Sequence, residues 1–166
     1  MKLLSRKIII VFFVASSITL FGENLIKMDS MDIAWKVIEN EIEFTVSAKT
    51  NGWVAIGFEP SKMMKDADMI LFSVVDGKLV IEDHYGNGLT SHKKDEDLGG
   101  VSSVTGISGL EKDGITTGTF RIPLNSTDKF DKKLVAGNTY KLIVAYGKND
   151  NMKTGHSYRG STKITL

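Results

Sequence analysis

The stretch EIEFTVSAK, residues 41–49, alternates strictly between polar and apolar side chains. Ile42, Phe44, Val46 and Ala48 fall on one side, and Glu41, Glu43, Thr45 and Ser47 on the other. A period of two marks a strand with one face on a core and one in water, the common state in an antiparallel sheet. IAWKVI (33–38) precedes it across Glu39-Asn40, which predicts a hairpin. A second hairpin is predicted at Asp76-Gly77-Lys78, between MILFSVV (69–75) and LVIEDHY (79–85). GITTGTFRIPL (114–124) and TYKLIVAYG (139–147) read as later strands. Turn signals recur about every eight to twelve residues, and no long helical period occurs after the first 22 residues, so an all-β sandwich or barrel is expected.

Three strands break the alternation. WVAIGF (53–58), MILFSVV and KLIVAYG (141–147) are apolar on both faces. One sheet face of an antiparallel sandwich normally meets water, so the second apolar face needs a cover. A neighbouring loop, a partner protein or an apolar ligand would each serve.

The chain has 166 residues, enough for one domain with a sizeable core. Residues 1–22 join a basic start (Lys2, Arg6, Lys7) to an apolar run from Ile8 to Val14. That pattern predicts a secretory signal peptide, with an uncleaved membrane anchor as the alternative, and so an extracytoplasmic location. The segment carries three of the 21 basic residues and none of the 20 acidic ones, leaving residues 23–166 slightly acidic. No basic surface for nucleic acid is implied. The absence of cysteine excludes disulfides, thiolate zinc sites, iron–sulfur clusters and covalently attached haem.

No G-x-S-x-G, P-loop or H-E-x-x-H motif occurs, so no catalytic site is predicted. His84, His92 and His156 are too irregularly spaced for a local zinc motif. HKKDEDLGG (92–100) offers Asp95, Glu96 and Asp97 to calcium but fits no EF-hand spacing, and a solvated loop is expected. Trp35, Trp53 and Tyr146 are candidate sugar platforms, although Trp53 and Tyr146 lie in strongly apolar strands and are expected in the core.

Two adjacent methionines, Met63 and Met64, occupy the polar turn between WVAIGF and MILFSVV. Alone, either reads first as filler at the edge of a core. His156, in KTGHSYRG (153–160), alone reads first as a surface residue. Their chemistry matters if the two converge. A thioether and an imidazole suit zinc or calcium poorly but make a good axial pair for haem iron.

From about Met31 to Leu166 the chain resembles a DOMON domain, the family that includes the N-terminal domain of dopamine β-monooxygenase-type proteins and the cytochrome domain of cellobiose dehydrogenase. The matching segments run in order: GWVAIGF, Met64–Met69, DGKLVIEDHYGNG, FRIPLNSTDKFD, YKLIVAYG and His156–Gly160. The resemblance implies an immunoglobulin-like antiparallel β-sandwich over residues 23–166. It also implies one non-covalent haem b, held by a Met after the GWVAIGF-like strand and a His near the C-terminus. The matching positions are Met64 and His156, with Met64 favoured over Met63 because it stands five residues before Met69. Arg159 and Lys153 are candidate partners for a haem propionate, against a plain surface role. The implied function is one-electron transfer or redox sensing with a separate redox partner. The alternative is a haem-free module that binds carbohydrate or protein.

Overall fold

The computed structural model describes residues 24–166. The segment read as a signal peptide or anchor lies outside the described residues. Among those described, the strands are β1 (Asn24–Lys27), β2 (Met31–Ile38), β3 (Glu41–Ala48), β4 (Val54–Phe58), β5 (Asp68–Val75), β6 (Lys78–Tyr85), β7 (Lys93–Lys94), β8 (Thr105–Lys112), β9 (Ile115–Pro123), β10 (Thr139–Tyr146) and β11 (Tyr158–Thr165). They form two antiparallel sheets, in the orders β1-β2-β3-β9-β8 and β11-β10-β4-β5-β6-β7. The fold is the expected all-β sandwich.

The alternation in β3 is realised as read. Ile42, Phe44 and Val46 are fully buried between the sheets. Phe44 stacks on Phe120 at 5.8 Å and tilts against Phe58 at 5.6 Å, joining the two layers. On the outer face of the same sheet, Thr45 pairs with Thr119 and Ser47 with Thr117 through their hydroxyls. Glu43 sits between Lys36 and Arg121, each with a nitrogen 2.7 Å away. Both predicted hairpins form. Asp76 and Gly77 have φ of 50° and 72°, the paired left-handed residues of a tight two-residue turn.

Strand β8 was not expected from TGISGLEK. Almost all of it is exposed and it carries two glycines, so no apolar period betrays it. Its place comes from the Asp113-Gly114 turn, again with positive φ at both residues, which folds it onto β9 as an edge strand.

Candidate functional site

The second sheet is apolar on both sides, as its strands predict. Val54, Ile56 and Phe58 of β4 point into the sandwich, so Ala55 and Gly57 point outward. On this outer face Ala55 and Leu71 lie in one cross-strand row with Ala145, and Gly57 and Met69 in the next with Ile143. A Cβ on Gly57 would stand 3.0 Å from both Ile143 and Met69, so the glycine keeps this floor flat and tightly packed. Trp53, Ala55, Ala67, Met69 and Leu71 form a buried cluster here, separate from the main core.

Two loops supply its cover. Met64 packs against the cluster from the turn after β4, and Met152 from the loop between β10 and β11. Met63, by contrast, has a left-handed φ of 54° and is 48% exposed, so the neighbouring thioethers face opposite environments. Met152 escaped the sequence reading. Its signal was the same one that drew attention to Met64, a methionine in an otherwise polar loop.

The Met64 turn is firmly fastened. Met64 N–H donates to the Leu89 carbonyl at 3.2 Å, Asp66 N–H to Gly86 at 2.7 Å, and Gly86 N–H to Ala67 at 2.8 Å. The Asp66 carboxylate accepts hydrogen bonds from Ser61 and Tyr85, which hold its pKa below the usual aspartate value. The loop from Gly86 to Leu89 therefore acts as a splint for the methionine.

His156 is exposed and lies in a surface depression with Lys148, Asn149 and Thr154. Its loop is anchored on both sides. Trp53 Nε1 donates to Thr154 Oγ1 at 3.2 Å, and Ser157 N–H to the Tyr146 carbonyl at 2.9 Å. Gly147 lies directly against the Trp53 indole, where a Cβ would overlap the ring. The Met64 turn leaves the Phe58 end of β4, while the His156 loop returns to the Val54 end. At the usual strand rise these ends are about 14 Å apart, so the two loops flank one apolar face. Arg159 pairs with Ala145 across β10 and β11, which puts it on that same face. Lys153 is exposed in the His156 loop.

The other candidates fall elsewhere. Trp35 and Trp53 are 5% and 4% exposed, and Tyr146 is half-buried and stacks on Tyr158 at 5.0 Å. None of the three is an open sugar platform. His84 and His92 pair through their Nδ1 atoms at 3.0 Å, and burial lowers the pKa of both. HKKDEDLGG is not solvated throughout. Glu96 and Asp97 are exposed, but Asp95 is only 1% exposed because the segment folds back and its N–H bonds the Asp83 carbonyl.

A family model, the DOMON domain, matches residues 27–147. The chain belongs to the DOMON domain family. It is 26% identical over 133 residues to the human DBH-like monooxygenase protein 1, a match covering 80% of this chain and 21% of that protein. It is 27% identical over 123 residues to MOXD1 homolog 2 of Drosophila melanogaster, covering 74% of this chain and 16% of the relative. The chain thus spans about a fifth of the length of these relatives. Among solved structures, it superposes on the cytochrome domain of Myriococcum thermophilum cellobiose dehydrogenase with a TM-score of 0.65 at 12% identity, covering 87% of this chain and 81% of that one. The cytochrome b domain of pyranose dehydrogenase from Coprinopsis cinerea gives 0.57 at 11% identity, covering 81% and 75%. At such identities the likeness concerns the fold. No helix among the described residues is long and apolar enough to cross a membrane.

Proposed function

We propose that this DOMON domain is an extracytoplasmic electron-transfer or redox-sensing module that holds one non-covalent haem b, with Met64 and His156 as axial ligands. The observation that carries this reading is the outer face of β4, β5 and β10. It is an apolar floor with a thioether leaning over one end and an imidazole-bearing loop at the other. The residues present fit the group. The floor is flat and hydrophobic, the two donors suit haem iron, and Arg159 on the same face offers a cation to a propionate. When bound, the haem supplies a reversible ferric/ferrous couple. The chain's own part is to bind, orient and keep water away. A thioether ligand raises the potential relative to two histidines. Were Met64 and His156 both to hold the iron, no position on it would be left for a substrate, and electron transfer would be the chemistry it supplies. The electron must come from one separate redox partner and leave to another.

Two further observations bear on the reading. The cellobiose dehydrogenase and pyranose dehydrogenase neighbours are cytochrome domains, which supports haem as the ligand class for this fold. Met64 and Met152 close over the floor, so haem entry requires at least one of them to swing outward. That closure favours a second reading, a haem-free module that binds a protein or carbohydrate elsewhere on its surface. Purification from haem-supplied cells separates the two. A red protein with a Soret band, decolourised completely by acid–acetone, is expected. A colourless protein that takes up no added haemin supports the second reading.

A further inference from the structure

Five aspartates from separate parts of the chain meet at one end of the sandwich. Asp68 opens β5, Asp83 lies within β6, Asp95 follows β7, and Asp128 and Asp131 belong to the connection between β9 and β10. Carboxylate oxygens of Asp68, Asp83 and Asp131 lie within 4.8 Å of one another, and so do those of Asp95, Asp128 and Asp131. Asp131 is common to both groups. Asp68, Asp83 and Asp95 are 4%, 1% and 1% exposed. Among the described residues, no Lys, Arg or His forms an ion pair with any of the five.

The protein's own donors reach only part of this cluster. Asp68 Oδ2 accepts from the Lys132 N–H at 2.9 Å, and Asp83 Oδ2 from the Ser103 N–H at 2.8 Å. Ser103 Oγ donates toward Asp83 and Asp131, while the Val101 and Phe130 N–H groups serve Asp128. Asp83 Oδ1, Asp131 Oδ1 and both oxygens of Asp95 are buried with no hydrogen-bond donor. A buried carboxylate oxygen without a partner is costly, and several side by side repel one another. An ordered water could donate to such an oxygen, but only a proton or a cation also removes the repulsion. Burial first, and neighbouring carboxylates second, push Asp95 up to about 7. Burial likewise pushes Asp83 up to about 6, against the Ser103 N–H.

We propose that Asp68, Asp83, Asp95, Asp128 and Asp131 form a binding site for a divalent cation of the calcium type. The donors are all hard oxygens, which excludes the soft metals. Ligand number points to calcium over magnesium. Calcium takes about six to eight oxygens in flexible geometry, whereas magnesium demands a near-ideal octahedron and keeps several waters, so a crowd of protein carboxylates suits calcium better. The ion would tie the start of β5, β6, the segment after β7 and the β9–β10 connection to one point. In a chain without cysteine it does the work of a cross-link. Asp68 pairs with the inward-pointing Phe58, so its carboxylate is on the side of β5 opposite the outer face that Met69 lines.

The test uses the purified chain, stripped with EDTA and kept free of haem. Calcium chloride should raise the thermal midpoint at pH 7.5 in a saturable way, and isothermal titration should register binding. Magnesium chloride at the same concentration should shift the midpoint less. Asp95→Asn and Asp83→Asn should each weaken calcium affinity tenfold or more. Without calcium, their midpoints should equal or exceed that of the wild type, because a buried repulsion is relieved. That second readout distinguishes a lost ligand from a damaged fold. A wild-type midpoint indifferent to calcium with no heat of binding, or full calcium affinity in both variants, overturns the proposal.

Discussion

Gly86 lies against the backbone of Met64 so closely that a Cβ placed on it would overlap the Met64 carbonyl oxygen. The atom in the way is backbone, held in turn by the Ala67 N–H at 3.1 Å, so it cannot move aside cheaply. Gly86→Ala should therefore cost about 1–3 kcal/mol in chemical denaturation, the range for overpacking a tight site. It should also push the Met64 thioether out of place, so haem-loaded protein should show an altered low-spin spectrum. Unchanged stability in this variant would mean that the splint is looser than its contacts imply.

The three methionines around the outer face should behave differently. Met64→Ala should change the ferric and ferrous spectra of the haem-loaded protein and lower its midpoint potential, because the thioether is lost as a ligand. Met63→Ala should leave both unchanged, since that side chain faces solvent. Met152→Leu keeps the apolar cover over the floor and should also preserve the spectrum. If Met152→Leu changes the spectrum and Met64→Ala does not, the ligand comes from the other loop.

His156→Ala should weaken haem affinity more than Met64→Ala does, the imidazole nitrogen being the firmer ligand. Free haem at a hundredfold excess over its dissociation constant stabilises the fold by about 2.7 kcal/mol, and most of that should vanish in the variant. The haem-free midpoint should hardly move, because His156 is exposed and contributes little packing. Differential scanning fluorimetry with and without haemin reads both quantities. A large loss in the haem-free state would instead make His156 a structural residue of the β10–β11 loop.

The His84–His92 pair predicts acid sensitivity. Their Nδ1 atoms share one proton at 3.0 Å, and His84 Nε2 faces Glu82 at 2.9 Å, which also holds Lys94 at 2.7 Å. Burial is the largest influence on both rings and lowers their pKa, more than Glu82 restores it. Below about pH 6.5 the unfolded chain binds protons that the folded pair resists. Stability from this pair is thus complete above pH 6.5 and is lost as the pH falls toward the folded values. Urea denaturation of wild type and His92→Gln at pH 7.5 and 5.5 should show the larger acid loss in the wild type. Comparing the two cancels the contribution of Asp83 and Asp95, which has the opposite sign.

Strands β3, β5, β6 and β10 were legible because burial on one face or both leaves a mark in the local order of residues. The hairpin at Asp76-Gly77 was legible because its backbone demands residues that tolerate positive φ. Strand β8 carried no such mark, being a mostly exposed edge held by its neighbour β9. For the outer face, the sequence showed that a cover was needed but left its source open between a loop, a partner protein and an apolar ligand; Met64, Met152 and the splint at Gly86 became visible only in the structure.

By itself, then, the sequence determined the all-β class, the doubly apolar strands of the second sheet and the lack of any cysteine chemistry, each a matter of residue type or short-range period. The candidate pair Met64 and His156 came from the resemblance to DOMON domains. Only the tertiary structure decided that Met64 faces the apolar floor while Met63 faces water, because that choice rests on the φ of Met63 and on hydrogen bonds to the loop of Gly86 and Leu89. It alone turned Asp95 from a member of a charged stretch into a buried acid beside Asp128 and Asp131. Those aspartates have no local spacing to read. They meet because sheet order sets β5 beside β6, and because the β9–β10 connection and the segment after β7 pack at that same end.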